Sequence, residues 1–151
     1  IEKLLVEILD RKGADGRVVI WAIFIGNMID LKEYLRSRNI ESELLYGAIP
    51  NENEELSDEI LTREKIINKF HNDNCPYKVI IANPFAVGES ISLHKACHNA
   101  IYLEKNFNAT LYMQSKDRIH RYGLNKNDLI NYYYFISDDS IEIKIHERVL
   151  E

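Results

Sequence analysis

Eight consecutive apolar residues, Val18 to Ile25, run without a polar interruption. A strand on a half-exposed sheet alternates apolar with polar, and a surface helix keeps one polar face. An unbroken run rich in β-branched residues therefore reads as a strand buried on both sides, as in a parallel sheet covered by helices. The flanking sequence supplies those helices. Leu4 to Leu9 continues an amphipathic helix that Gly13 and Gly16 break, and Asn27 with Asp30 opens another through about Ser37, with Met28, Leu31 and Leu35 on one face. Glu43 to Tyr46 reads as a strand, Glu59 to Phe70 as a helix with Ser57 as candidate cap, and Tyr77 to Ala82 as a strand. Ala100 to Leu103 follows as a strand, Ala109 to Tyr122 as a helix, Leu129 to Ile136 as a strand and Ile141 to Leu150 as a closing helix. This repetition implies right-handed crossovers and an open, mainly parallel α/β sheet with helices on both faces. In such sheets ligands gather beyond the carboxyl ends of the strands, where Asn83 to Ser92 would lie.

At 151 residues and 46% hydrophobic content, the chain is expected to form a single domain, 1–151, with a sizeable core. It starts in mid-helix at Ile1 without an initiator Met, which suggests a piece of a longer protein. No run of 18 apolar residues and no charged, apolar, small-residue leader is visible, so neither a membrane span nor a secretory signal is expected, and the location expected is cytoplasmic. Cys75 and Cys97 make no disulfide framework and fit a reducing compartment. His71, Cys75, His94, Cys97 and His98 carry zinc-binding chemistry at short spacing. With no CxxC pair, the better reading places His94 and His98 in satisfied polar surroundings near the turn after the strand. A formal net charge of −5 argues mildly against a surface built for nonspecific DNA binding, although five acids are concentrated between Asn51 and Glu59.

The stretch from Gln114 to Gly123 carries the sharpest chemistry. Gln114, Arg118 and Arg121 are spaced i, i+4, i+7, so on a helix they share one stripe. Asn108 can cap that helix, Gly123 can end it, and Leu111, Tyr112, Ile119 and Tyr122 form an apolar stripe beside the arginines. Two guanidinium forks held rigidly suit the reading of phosphate. Solvated arginines paired with acids such as Asp117 have the same spacing, so spacing alone leaves both readings open.

Gln114, Asp117, Arg118, Arg121 and Gly123 match, position for position, the order Gln, two variable residues, Asp, Arg, two variable residues, Arg, one variable residue, Gly. The stretch thereby resembles motif VI of superfamily 2 helicases, most closely the Swi/Snf-type translocases. Gly88, Glu89, Ser90, Ile91, Ser92, Leu93 and Ala96 resemble motif V of that family, with Ser90 replacing its second Gly and Ser92 its Asn. Both replacements stay small and add hydroxyls able to bond phosphate. Arg17 to Phe24 resembles motif IV, and Arg63 with Phe70 resembles the short helix motif before motif V. Phe107 and Asn108 stand where the family usually has Trp and Asn. Ser140, Ile141, Glu142, Lys144 and Ile145 follow the run that closes the motor core, with Ile143 in place of a second acid.

The resemblance covers nearly the whole chain and implies a RecA-like fold, the second lobe of a two-lobe motor. No G-x-x-x-x-G-K-[ST] loop and no Asp-Glu motif after a strand is present, so ATP and Mg²⁺ are expected to be held mainly by the first RecA-like lobe of the same polypeptide. The resemblance implies that Arg121 is the principal arginine finger, Arg118 a second phosphate or interlobe contact, and Gln114 a polar positioning group. It places Asp117 as a partner for Arg121, Gly88 and Glu89 near the nucleotide, and Ser90 and Ser92 toward DNA, expected to be duplex. A degenerate lobe serving only as a docking module is the alternative. A small-molecule enzyme would need a Gly-rich loop after the first strand, where FIGNMIDL supplies one Gly.

Overall fold

The computed structural model describes residues 1–50, 60–85, 92–104, 108–120, 124–136 and 141–150, the last with side chains at 141, 143, 144, 147 and 148. Helix α1 (Glu2–Leu9) and a 3-10 turn (Gly13–Gly16) lead into β1 (Val18–Trp21). Then come α2 (Ile25–Ser37), β2 (Ser42–Leu45), α3 (Arg63–Phe70), β3 (Val79–Ala82), β4 (Asn99–Tyr102), α4 (Ala109–Asp117), β5 (Asn131–Tyr134) and α5 (Ile141–Leu150). The strands form one sheet in the order β2-β3-β1-β4-β5, and every pairing is parallel. β1 sits at the centre with β3 and β4 in register on either side, Val18 opposite both Val79 and Asn99.

The apolar run works as a two-sided strand. Val18 and Ile20 face one layer with Val79, Ile81 and Ile101, against Leu5 and Ile8 of α1 and Met28 and Leu35 of α2. Val19 and Trp21 face the other with Ile80, Ala100 and Tyr102, against Ile66 and Phe70 of α3 and Tyr112 of α4. Each fully buried aliphatic or aromatic side chain contributes about 1.5–3 kcal/mol of transfer free energy, so the two layers together outweigh any single polar contact.

Several boundaries differ from the sequence expectation, and four of them have a visible physical cause. β1 stops at Trp21 rather than Ile25. The chain then turns at Ile23 and Phe24, and α2 begins at Ile25 with no side-chain cap of its own. Asn27, expected as that cap, instead donates from its side chain to Glu104. α3 starts at Arg63 because Thr62 caps it, its hydroxyl accepting from the Lys65 N–H at 3.3 Å; Ser57 and Glu59 lie outside the described residues. α4 ends at Asp117, not Tyr122. There the Arg118 N–H turns to the Ser115 carbonyl and the Ile119 N–H to the Lys116 carbonyl, three-residue bonds that tighten the last turn.

Gly16 packs so closely on α1 that a Cβ there would stand 2.0 Å from the Arg11 carbonyl oxygen. Gly16→Ala is expected to cost about 1–3 kcal/mol, read as a lower urea midpoint with an unchanged slope. A midpoint equal to that of the parent chain would contradict this packing.

Candidate functional site

The carboxyl ends of β1, β3 and β4 form a rim, and the segments leaving it are fixed by long-range polar contacts. Asn83, the first residue past β3, is 8% exposed. It donates from Nδ2 to the Ile23 carbonyl at 2.7 Å and accepts at Oδ1 from the Phe85 N–H at 2.9 Å. Glu104, two residues past β4, accepts at Oε2 from the backbone N–H groups of Ile23 at 2.8 Å and Phe24 at 3.0 Å, and at Oε1 from Asn27. A carboxylate there satisfies donors at the start of α2 and opposes the positive end of the helix dipole.

The segments that resemble motif V and motif VI meet toward the other, amino-terminal edge of the sheet, where the Leu93 carbonyl receives the Cys97 N–H at 3.0 Å. The Leu93 N–H donates to the Arg118 carbonyl at 2.7 Å, joining the two segments through backbone alone. Leu93 and Ile119 are fully buried beside one another's layer, and Arg118 is 7% exposed at the C-cap of α4. Ser92 is half-buried, with its Oγ 2.5 Å from His94 Nδ1, and its carbonyl lies 3.1 Å from His71 Nε2. Gln114 and Asp117 are exposed. Of the stripe expected for Gln114, Arg118 and Arg121, the first two differ in exposure: Arg118, at the C-cap of α4, is buried while Gln114 faces solvent. Arg121, Gly123, Gly88, Glu89 and Ser90 lie outside the described residues.

α4 is seated by hydroxyl contacts. Asn108 caps it, accepting from the Leu111 N–H at 3.1 Å, as its sequence position implies. Tyr102 OH and Ser115 Oγ are 2.8 Å apart, Ser115 Oγ donates to the Tyr112 carbonyl at 2.6 Å, and the Tyr112 and Tyr134 hydroxyls are 2.5 Å apart. Lys116 Nζ lies over the rings of Tyr112 and Tyr132, at 5.5 and 4.7 Å from their centroids.

The remaining motif residues hold structure. Arg63 donates to the carbonyls of Ile49 at 2.7 Å and Gly47 at 3.0 Å, pinning the turn after β2. His98 Nδ1 is 2.8 Å from Asp15, and the Cys97 thiol is buried against the carbonyls of Arg17 and Asn99 at the opposite, amino-terminal edge of the sheet. Among the described residues no three His, Cys, Asp or Glu side chains converge to hold a metal ion.

Asn83, Glu104, Tyr102 and Ser115 escaped the sequence reading. The signal for Glu104 is register: Trp21 pairs with Tyr102, so residues two past each strand end, Ile23 and Glu104, come together. Nothing in the local pattern marks Ser115, which looks like an ordinary helix residue until β4 is laid beside it.

An all-parallel sheet in the order β2-β3-β1-β4-β5, with helix layers on both faces, defines a RecA-like lobe. The helicase conserved C-terminal domain family matches residues 1–123, and the chain belongs to that family. It is the C-terminal lobe of a superfamily 2 helicase. The fold is similar to the crystal structure of the C-terminal part of the Fun30 ATPase domain, with a TM-score of 0.77 and 28% identity over 98% of this chain and 43% of that one. Transcription termination factor 2 of Drosophila melanogaster is 28% identical over 134 residues, 89% of this chain and 12% of that protein. The chain thus spans less than half the length of either relative.

Burial pushes the Cys97 thiol from 9.0 up to about 12 and the Tyr132 hydroxyl from 10.0 up to about 12, and it raises those of Tyr102 and Tyr112 further. The folded state therefore keeps these protons at pH values where the unfolded chain has lost them. Their stabilisation is complete below about pH 9 and declines as pH climbs from 9 toward 12. The urea midpoint is expected to be lower at about pH 10.5 than at about pH 7.5. Equal midpoints at the two values would show that these groups ionise freely in the fold.

Proposed function

We propose that this lobe is the second motor lobe of an ATP-dependent, Swi/Snf-type DNA translocase, completing a nucleotide site whose other wall belongs to the first RecA-like lobe of the same polypeptide. The observation that carries this reading is the 2.7 Å bond from the Leu93 N–H to the Arg118 carbonyl, which joins the segment resembling motif V to the segment resembling motif VI. Residues 1–151 form one such lobe in this reading.

ATP is the substrate, held between the lobes. As the bond to the leaving group breaks, charge spreads over the γ-phosphoryl oxygens, and fixed guanidinium groups stabilise it without reorganising. Residues of the first lobe would hold Mg²⁺, which would supply charge neutralisation at the phosphates. Arg121 is the principal finger. Arg118, 7% exposed, acts from within the lobe as the second phosphate or interlobe contact. Gln114 and Asp117, both exposed, supply polar positioning, Asp117 toward Arg121. Gly88 and Glu89 approach the nucleotide, and Ser90 and Ser92 contact the backbone of duplex DNA. Cleft closure on ATP and reopening on product step the lobes along that backbone.

Burial of Arg118 is the observation that favours the second reading, a lobe that only docks nucleic acid or protein. The two readings part on one variant. Arg121→Ala in the full-length protein is expected to lower DNA-stimulated ATP turnover about a thousandfold while ATP binding stays measurable. Turnover near that of the parent protein would remove the finger assignment and leave the docking module. The lobe purified alone is expected to show no hydrolysis, and robust ATPase from it would contradict the two-lobe reading.

A further inference from the structure

We propose that the Tyr102–Ser115 hydroxyl pair is a positioning device for motif VI, referencing the turn that carries Arg118 to the central sheet. The inference rests on reading Gln114 to Gly123 as motif VI. Both partners are 3% exposed, so their hydrogen bonding is settled inside the protein. The proton inventory fixes its direction. Ser115 has one hydroxyl proton, and it goes to the Tyr112 carbonyl at 2.6 Å, so the 2.8 Å contact is a bond donated by Tyr102 to Ser115.

The two ends of this bond differ in rigidity. Tyr102 closes β4, in register with Trp21 of β1 and Tyr134 of β5, and its ring stacks on that of Tyr134 at 5.2 Å and 18°. Ser115 lies in the final turn of α4, and its own carbonyl receives the Arg118 N–H at 3.3 Å. Arg118 in turn passes its carbonyl to Leu93 of motif V. A continuous path of hydrogen bonds therefore runs from the sheet through Ser115 and Arg118 into motif V. Helix propensity does not explain the serine. Ala is the better helix former, and a serine hydroxyl bonded back to a carbonyl of the preceding turn tends to bend a helix. In α4 this back-bond falls where the helix tightens and turns away, just before Arg118.

Tyr102→Phe, Ser115→Ala and the double variant, each in the full-length protein, separate positioning from stability. Ser115→Ala removes the acceptor of the Tyr102 hydroxyl and is expected to lower Tm, whereas removal of both hydroxyls removes donor and acceptor together and is expected to recover much of that loss. ATP turnover is expected to behave otherwise: kcat falls about tenfold or more in each single variant and stays low in the double, with KM for ATP little changed, because a misplaced charge weakens the transition state. Recovery of kcat together with Tm in the double variant would reduce the pair to a structural role, and unchanged kcat throughout would overturn the proposal outright. Arg121→Ala in the same assay separates the two ideas. If it leaves turnover intact, the finger reading fails; if it abolishes turnover while the hydroxyl variants do not, only the positioning inference fails.

Discussion

β1 is the constraint from which the rest follows. Its four residues are fully or almost fully buried, and its backbone is paired on both edges, to β3 and to β4. Its two buried faces carry apolar side chains alone, and they need helices above and below. It cannot be an edge, so its neighbours must bring crossovers. α1 and α2 cover one face and α3 and α4 the other, which leaves the strand ends as the places where polar chemistry can concentrate. The rim residues Asn83 and Glu104 sit there because the middle of the sheet has no room for them.

The same constraint explains what could be read in advance. Burial on two faces leaves a contiguous apolar signature, so the central strands, their order along the chain and the helical layers were legible from Val18 to Ile25 and Tyr77 to Ala82. The Asn108 cap was legible too, since cap chemistry is local. The ends of elements were not, because distant groups decide them. β1 is shorter than its apolar run because Asn83 and Glu104 take hold of Ile23 and Phe24. α2 lacks its own cap because a carboxylate some eighty positions away serves it. α4 stops at Asp117 although Gln114, Arg118 and Arg121 keep helical spacing, since its last turn is tied to β4 on one side and to Leu93 on the other. The motif pattern marks the segment, while its local geometry depends on partners the pattern does not contain.

The His and Cys residues illustrate the converse. HKACH offers ligand chemistry at tempting spacing, yet its members turn to different partners. His94 turns to Ser92, while Cys97 and His98 enter β4 from the amino-terminal side against Arg17 and Asp15. Among the described residues no three such side chains converge, so short sequence spacing does not by itself make a shared site.

Stability and geometry are assigned to different interactions in this lobe. The two apolar layers supply the folding free energy, at about 1.5–3 kcal/mol for each large side chain, whereas a neutral hydrogen bond such as Leu93 to Arg118 contributes on the order of 1 kcal/mol net. The rim contacts are therefore too weak to hold the fold and too directional to be replaced by apolar packing. Their effect is to fix how the segment around Leu93 meets the end of α4. In the proposed two-lobe motor, a cleft that opens and closes on nucleotide would call for this division, since the body of each lobe would stay rigid while the segments facing the cleft exchange partners at small cost.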